Sequence, residues 1–367
     1  MCEAVLNEGF WAGRRVLVTG HSGFKGAWLT YMLARLGADV TGFALPPDAD
    51  PNLFSLLQIE AKVNSRFGDV RDLARFRQVA RSADPEVLFH LAGQALVREG
   101  YAHPIATFET NTMGVAHALE CARDLSRLRA VIVVTSDKCY RNDGRLVGYR
   151  EDDALGGDDP YSCSKACAEL VTESYRRSFF DDSNCAIATA RAGNVIGGGE
   201  WSRDRLVPDI LRAHLADAPL KLRNPQATRP WQHVLEPLVG YLTLAEQLHA
   251  SRTRFAGAWN FGPPADGSIT VKELAHAIYD AWGKEPNWQL DWRPNFKEAG
   301  RLAVDAAKAQ ESLGWLPRLS AADAVLWTVE WYRAWSSGES AEAATSRQIE
   351  QYQRLLGDGT AEAHHHA

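Results

Sequence analysis

Long apolar runs are missing from this 367-residue chain. None approaches the ~20 residues needed to cross a bilayer. Excess basic charge is missing too: 40 Lys and Arg against 46 Asp and Glu give a formal net charge of -6, which leaves no footprint for nucleic acid. The six cysteines (Cys2, Cys121, Cys139, Cys163, Cys167, Cys185) contain no Cys-x-x-Cys pair. Cys163 and Cys167 lie one helical turn apart, but no histidine spacing completes a zinc set, so no metal is expected. Reduced, buried thiols in a cytoplasmic protein are the expectation. Met1–Phe10 lacks the charged start and apolar core of a secretory leader, and His364–His366 are set aside from metal arguments. There is no internal repeat, and low complexity is confined to the Ala-, Glu- and His-rich stretch beyond Gly357, where disorder is expected.

What is present is ordinary globular material, 46% hydrophobic and 23% charged, enough for one large domain or two that share a cleft. Short apolar or β-branched runs recur at Arg14–Thr19, Val40–Ala44, Val63–Phe67, Val87–Leu91, Ala130–Val134 and Cys185–Arg191. Helical stretches lie between them, one of them spanning Ile105–Arg123. This rhythm predicts an α/β fold, a doubly wound parallel (Rossmann) sheet with a smaller C-terminal substrate-binding domain. The dinucleotide-binding domain is expected over 1–190 plus about 225–262, the substrate domain over about 191–224 and 263–340, and a tail over 341–367.

The first strand runs directly into Gly20-His21-Ser22-Gly23-Phe24-Lys25-Gly26, and a helix follows until Gly37. Small residues there let a diphosphate approach the backbone and rest on exposed N–H groups at the helix start. Either His21 or Lys25 adds positive charge near those phosphates, or Lys25 points to solvent. After the second strand there is no obvious ribose-binding acid, and no Arg or Lys stands between Arg35 and Lys62 to hold a 2′-phosphate. The balance favours NAD over NADP. Asp69 and Val70 follow the third strand, where a carboxylate accepts from an adenine amino group. Leu91, Ala92 and Gln94 follow the fourth and would line the cofactor, with Asn111 on the next helix.

The fifth strand delivers Ser136, Asp137 and Lys138 to its carboxyl end, the side on which ligands bind in such sheets. Pro160-Tyr161 then opens a helix on which Tyr161 and Lys165, four apart, share a face. A phenol of ordinary pKa about 10 needs a nearby cation to act as a base near neutrality. Further on, the acids between Asn142 and Asp159 read as a solvated loop, and Arg191–Gly199 as a flexible run. Arg191, Arg205, Arg229 and Arg301 recur at element edges, a distribution suited to a bound anionic group such as a sugar-nucleotide diphosphate.

The Thr19–Gly26 loop, Thr135–Tyr140, Tyr161 with Lys165, Arg191–Gly199 and Arg229–Val234 together resemble the extended short-chain dehydrogenase/reductases that act on nucleotide sugars, and within them the 4,6-dehydratases. The resemblance spans about Phe10 to Trp335. It implies a lyase with an internal redox cycle on a small-molecule nucleotide sugar. Tyr161 takes the C4 hydroxyl proton while hydride passes to bound NAD, Ser136 bonds the same hydroxyl, and Lys165 holds the ribose and lowers the phenol's proton affinity. Asp137 protonates the departing C6 hydroxyl, and hydride returns to C6. Lys138 stands where most such enzymes carry a glutamate base, a feature the resemblance associates with the branch acting on CDP-glucose. It is either a base for C5 or a cation that steadies the enolate. Asn194, Arg205, Arg229 and Arg301 are implied to hold the substrate, although Phe296–Ala299 departs from the histidine-containing run expected near the last. A homodimer is implied through the helices around Ile105–Arg123 and Tyr161–Tyr175. Two rival readings are a nucleotide-sugar 4-epimerase or simple reductase, which has no need of Asp137, and a catalytically silent NAD-binding regulator, of a kind that typically loses Tyr161 or Lys165.

Overall fold

Successive residues of each central strand fill opposite faces of one sheet. Val16 and Val18 of β1 (Arg15–Thr19) enter one apolar cluster and Leu17 the other. Ile132 and Val134 of β5 (Ala130–Val134) likewise part from Val131 and Val133. A strand apolar on both faces must be covered by helices on both, which is the condition for a doubly wound sheet. The computed structural model describes residues 6–263, 268–292 and 300–363. Its main sheet has seven parallel strands, adding β2 (Asp39–Ala44), β3 (Asn64–Phe67), β4 (Val87–His90), β6 (Ala186–Arg191) and β7 (Gly257–Asn260). They run in the order β7-β6-β5-β4-β1-β2-β3. Pairing of Thr19 with Phe43 and His90, of Val134 with Ala190, and of Arg191 with Asn260 lines up their carboxyl ends on one rim. The expected fold class is borne out.

The helices that frame the site are α1 (Phe24–Arg35), α2 (Leu73–Ala83), α3 (Gly114–Arg123), α4 (Pro160–Tyr175), α5 (Leu206–Leu215), α6 (Leu235–Ala250), α7 (Ala321–Ser336) and α8 (Ala341–Ala363), with a further one over Val271–Trp282. α1 and α6 bring Trp28, Leu33, Val239 and Leu242 to one face, while α2 and α3 bring Phe76, Val79, Val115 and Leu119 to the other. Among the described residues no helix is long and apolar enough to cross a membrane.

Three expectations are corrected. The single helix expected over Ile105–Arg123 begins as Pro104–Phe108 and passes through a wider π turn, Glu109–Met113, before α3. Asn111 sits in that turn and is buried. The tail expected over 341–367 is helical as far as Ala363 and packs down: Ala344, Ile349, Tyr352 and Leu356 are buried, and Tyr352 donates a 2.6 Å hydrogen bond to Glu236 on α6. Apolar residues spaced three and four apart made this segment amphipathic despite its polar composition. The acidic loop is also less solvated than expected. Glu151 accepts from the Asn260 amide at 2.8 Å, Asp153 from the Arg150 amide at 2.7 Å, and Asp159 is buried as the cap of α4. Phe296–Ala299 and His364–His366 lie outside the described residues.

Candidate active site

The glycine loop is shaped by close approach. Gly20 has φ +75°, and a Cβ there would lie 2.7 Å from the Ala92 amide nitrogen. A Cβ on Gly26 would lie 1.9 Å from the Gly20 carbonyl oxygen. Gly23 caps α1 without a side-chain hydrogen bond. The first turn of α1 therefore presents backbone N–H groups beside β1 and β4, a cradle that fits a dinucleotide diphosphate.

His21 does not supply the positive charge expected of it. Its ring is fully buried, packs where a Gly42 side chain would be, and pairs with Ser65 Oγ at 3.1 Å. Burial lowers its pKa to about 4, so the imidazole is neutral and helps build the floor beneath the loop. Lys25 does not point to solvent: its half-buried side chain turns into the cleft with Nζ 5.9 Å from the Tyr241 ring centroid. Burial, reinforced by Lys165 and Arg205, lowers its pKa to about 8, while Asp137 and Glu200 oppose this.

Around the cofactor side, Asn111 is a staple. Its Oδ1 accepts from the Gln94 amide at 2.8 Å, and its Nδ2 donates to the Gln94 carbonyl at 3.0 Å and to Ser164 Oγ at 2.9 Å. The Gln94 side chain donates to Thr107 Oγ1 at 2.9 Å and accepts from the Leu96 amide. Both residues are thus spent on holding the loop after β4, with Leu91 and Ala92, against α4. A Cβ on Gly93 would lie 3.2 Å from Lys165 Nζ, which shows how closely this loop meets Lys165. Asp69 is paired with Arg71 through two bonds of 2.6 and 2.9 Å, and the guanidinium lowers its pKa. The neighbouring Val70 carbonyl lies 2.9 Å from His117 Nδ1.

At the centre, β5 ends in Thr135-Ser136 and a single 3-10 turn, Asp137–Cys139. Ser136 Oγ donates to Asp137 Oδ1 at 3.0 Å and accepts from the Lys138 amide at 3.2 Å. Asp137 is buried and its Oδ2 accepts no hydrogen bond from the described residues. That oxygen abuts Gly193, where a Cβ would lie only 1.8 Å from it. Asp159 caps α4 by accepting from the Ser162 amide at 3.0 Å, with Pro160 in the first turn, and this fixes the start of the helix that carries Tyr161 and Lys165. Burial raises the Tyr161 pKa, while its hydrogen bond with Ser136 and the charge of Arg205 pull it down. Lys165 donates to the Val134 carbonyl at 3.5 Å, and burial lowers its pKa to about 8 against the opposing charge of Glu169.

Next to this centre lies a cavity whose wall includes Lys138, Asn194, Glu200, Arg205, Arg229 and Trp231. Three of the four expected substrate residues are thus brought together. Arg301 is outside that wall: its guanidinium donates to the Leu146 carbonyl at 3.4 Å and its backbone bridges Thr228. The loop before α5 is tied across to the cofactor half by the Arg98–Asp204 ion pair at 3.1 Å and by Arg205 donating to the Ala95 carbonyl at 2.9 Å.

Arg191 is removed from the anion-binding set. It is buried, paired with Glu169 at 2.7 Å, and donates to the Tyr140 hydroxyl at 2.7 Å. Nor is Gly193–Gly199 flexible. A Cβ on Gly198 would lie 2.0 Å from the Trp331 ring, and Gly199, at φ +83°, packs on Leu53. These glycines make room for neighbours. Sequence reasoning missed Glu169 and Glu200, although Glu169 lies four residues beyond Lys165 on the same helix face and Glu200 directly follows the glycines.

Comparison with known proteins agrees with this geometry. The family model described as GDP-mannose 4,6 dehydratase matches residues 17–326. The CDP-glucose 4,6-dehydratase of Salmonella typhimurium is 43% identical over 353 residues, covering 95% of this chain and 98% of that protein. A dTDP-glucose 4,6-dehydratase from Streptomyces venezuelae, solved with NAD bound, superposes with a TM-score of 0.75 at 25% identity, covering 89% of this chain and 98% of that one. The UDP-glucose 4-epimerase of Thermotoga maritima shares the fold, with a TM-score of 0.75 at 21% identity over 88% of this chain and 99% of the epimerase.

Proposed function

The chain belongs to the GDP-mannose 4,6-dehydratase family, and from that membership we propose that it is a hydro-lyase converting CDP-glucose to CDP-4-dehydro-6-deoxyglucose and water. The observation that carries the choice of substrate is the 43% identity along 95% of the chain to a CDP-glucose enzyme. The glycine cradle and the loop stapled by Asn111 fit NAD, which, when bound, supplies the acceptor for C4 hydride and the donor that returns it to C6. Tyr161 takes the C4 hydroxyl proton, and Ser136, whose side chain pulls the phenol's pKa down, holds the same oxygen. Lys165, protonated over most of the neutral range, holds positive charge one helical turn from the phenol. Asp137 gives its proton through Oδ2 to the leaving C6 hydroxyl. Lys138 serves C5, as its base or as the cation that steadies the enolate. Asn194, Arg205 and Arg229 hold the nucleotide diphosphate from the cavity wall, and Arg301, outside that wall, is the fourth substrate residue of this reading.

This reading assigns 1–190 with about 225–262 to cofactor binding, and about 191–224 with 263–340 to substrate binding. It places the enzyme in the cytoplasm, in deoxysugar biosynthesis, with Cys121, Cys139 and Cys185 as free buried thiols. It also makes the enzyme a homodimer. Ile105 and Met113 on the first helical stretch, with Leu170 on α4 and Phe179 just beyond it, stay 48–75% exposed along one face. The deciding experiment offers CDP-, dTDP- and GDP-glucose side by side to the protein with NAD. A 4-keto product from CDP-glucose alone supports the reading, whereas the C4 epimer, or no turnover of any of the three, overturns it.

A further inference from the structure

Glu169 is a buried carboxylate of the helix that carries Tyr161 and Lys165, and it reaches both the end of β5 and the start of the substrate-lining run. The Glu169–Arg191 ion pair is 3% exposed on each side, and its N–O distance is 2.7 Å. The same carboxylate accepts from Thr189 Oγ1 at 2.7 Å and, through its other oxygen, from the hydroxyl of Thr135. Thr135 is the residue immediately before Ser136, so this bond anchors the point at which β5 hands its side chains to the cleft. Glu169 also lies four residues beyond Lys165 and eight beyond Tyr161, on the face of α4 turned to the sheet. A buried carboxylate with both oxygens engaged is held in place, and its charge is little screened by solvent.

We propose that Glu169 is a positioning residue of the reaction centre, fixing the strand end that carries Ser136 and keeping the Lys165 ammonium charged one turn below Tyr161. The groups around that ammonium leave this task to Glu169. From β4 comes His90, which burial lowers to a pKa of about 3 and which is therefore neutral. From α1 comes Lys25, a like charge that disfavours the ammonium. From the turn after β5 comes Cys139, whose thiol is held well above its ordinary pKa by burial and stays protonated. The Val134 carbonyl and the Gly93–Asn111 contact contribute dipoles only. Glu169 is the anion among them, and it is the first group that opposes the burial of Lys165.

The proposal rests on the roles given to Tyr161 and Lys165 above, so its test includes a readout that needs no turnover. Competitive acetylation with acetic anhydride across pH, mass-mapped to the Lys165 peptide of the full chain, reports the proton on Nζ. In Glu169→Gln the midpoint is expected to fall by about one pH unit. The alkaline limb of kcat/KM should move with it, kcat dropping while KM changes little, and Glu169→Asp should restore part of the shift. A midpoint that stays at the wild-type pH overturns the proposal, however much activity is lost. Glu169→Gln leaves Arg191 buried without its ion-pair partner, which destabilises the fold. The double variant Glu169→Gln/Arg191→Met removes both charges and must still shift the midpoint downward, by less than the single variant because the like charge of Arg191 leaves with its partner, an unmoved midpoint there being equally fatal. A shifted midpoint in a protein that leaves CDP-glucose untouched would overturn the substrate assignment and sustain this one.

Discussion

At the scale of single residues, the site turns on what one carboxylate is allowed to touch. Asp137 Oδ1 is held by Ser136, while Oδ2 is buried against Gly193 with no hydrogen bond from the described residues. The proposed acid role uses that oxygen, and any larger residue at 193 would occupy its place. Asp137→Asn keeps the shape but cannot donate in the same way. It should slow elimination by roughly 10²- to 10⁴-fold while C4 oxidation continues. The reduced-nicotinamide absorbance would then rise and persist in a single turnover. If that absorbance never builds up and product forms at the normal rate, Asp137 is not the acid.

At the scale of elements, α4 serves two surfaces. Its inward face carries Tyr161, Lys165 and Glu169, all buried, and its outward face carries Cys163, Cys167, Leu170 and Val171, which are not. An apolar outward stripe beside the exposed Ile105 and Met113 is the face the proposed homodimer would bury, a second copy offering the same face in return. Leu170 is 58% exposed in the single chain, so replacing it leaves the interior packing intact. Leu170→Asp should yield a folded monomer by sedimentation where the parent protein is a dimer. A parent protein that itself sediments as a monomer would end the argument. The π turn belongs to this scale too, since it places Asn111 where it can clasp both backbone groups of Gln94.

At the scale of the whole molecule, the C-terminal helix is fastened through one buried acid. Glu236 on α6 accepts from the Arg318 and Leu319 amides at 3.0 and 2.7 Å and from the Tyr352 hydroxyl of α8 at 2.6 Å. Burial outweighs these bonds and raises its pKa to about 7. Because the folded value lies above the unfolded one, the associated stability is complete below about pH 4.5 and is lost as pH rises through about 7. Glu236→Gln cannot titrate. The unfolding free energy of the parent protein relative to this variant should therefore fall between pH 5 and pH 8, by an amount on the order of 3 kcal/mol. Glu246 is also raised to about 7 by burial and is common to both proteins, so the difference isolates Glu236. A difference independent of pH would show that α8 is not held through this carboxylate.

The sequence by itself determined the sheet, because runs such as Ala130–Val134 are apolar at every position and can be buried only between two helical layers. It also determined the local geometry of the glycine loop and of the α4 start, where Gly20, Pro160 and Asp159 act on their immediate neighbours. What only the tertiary structure decided is which polar side chains are spent on the fold and which are left for chemistry. Arg191 and Arg205 look alike in the chain, yet one is consumed by Glu169 and Tyr140 and the other lines the cavity. His21 became a neutral floor and Lys25 turned inward because Gly42 and the cleft left them those spaces. Glycines that read as slack proved to be clearances for Asp137, Trp331 and Leu53. Local propensity and periodicity act over a few residues, whereas these outcomes depend on partners far away in sequence, and only the packed chain brings the partners together.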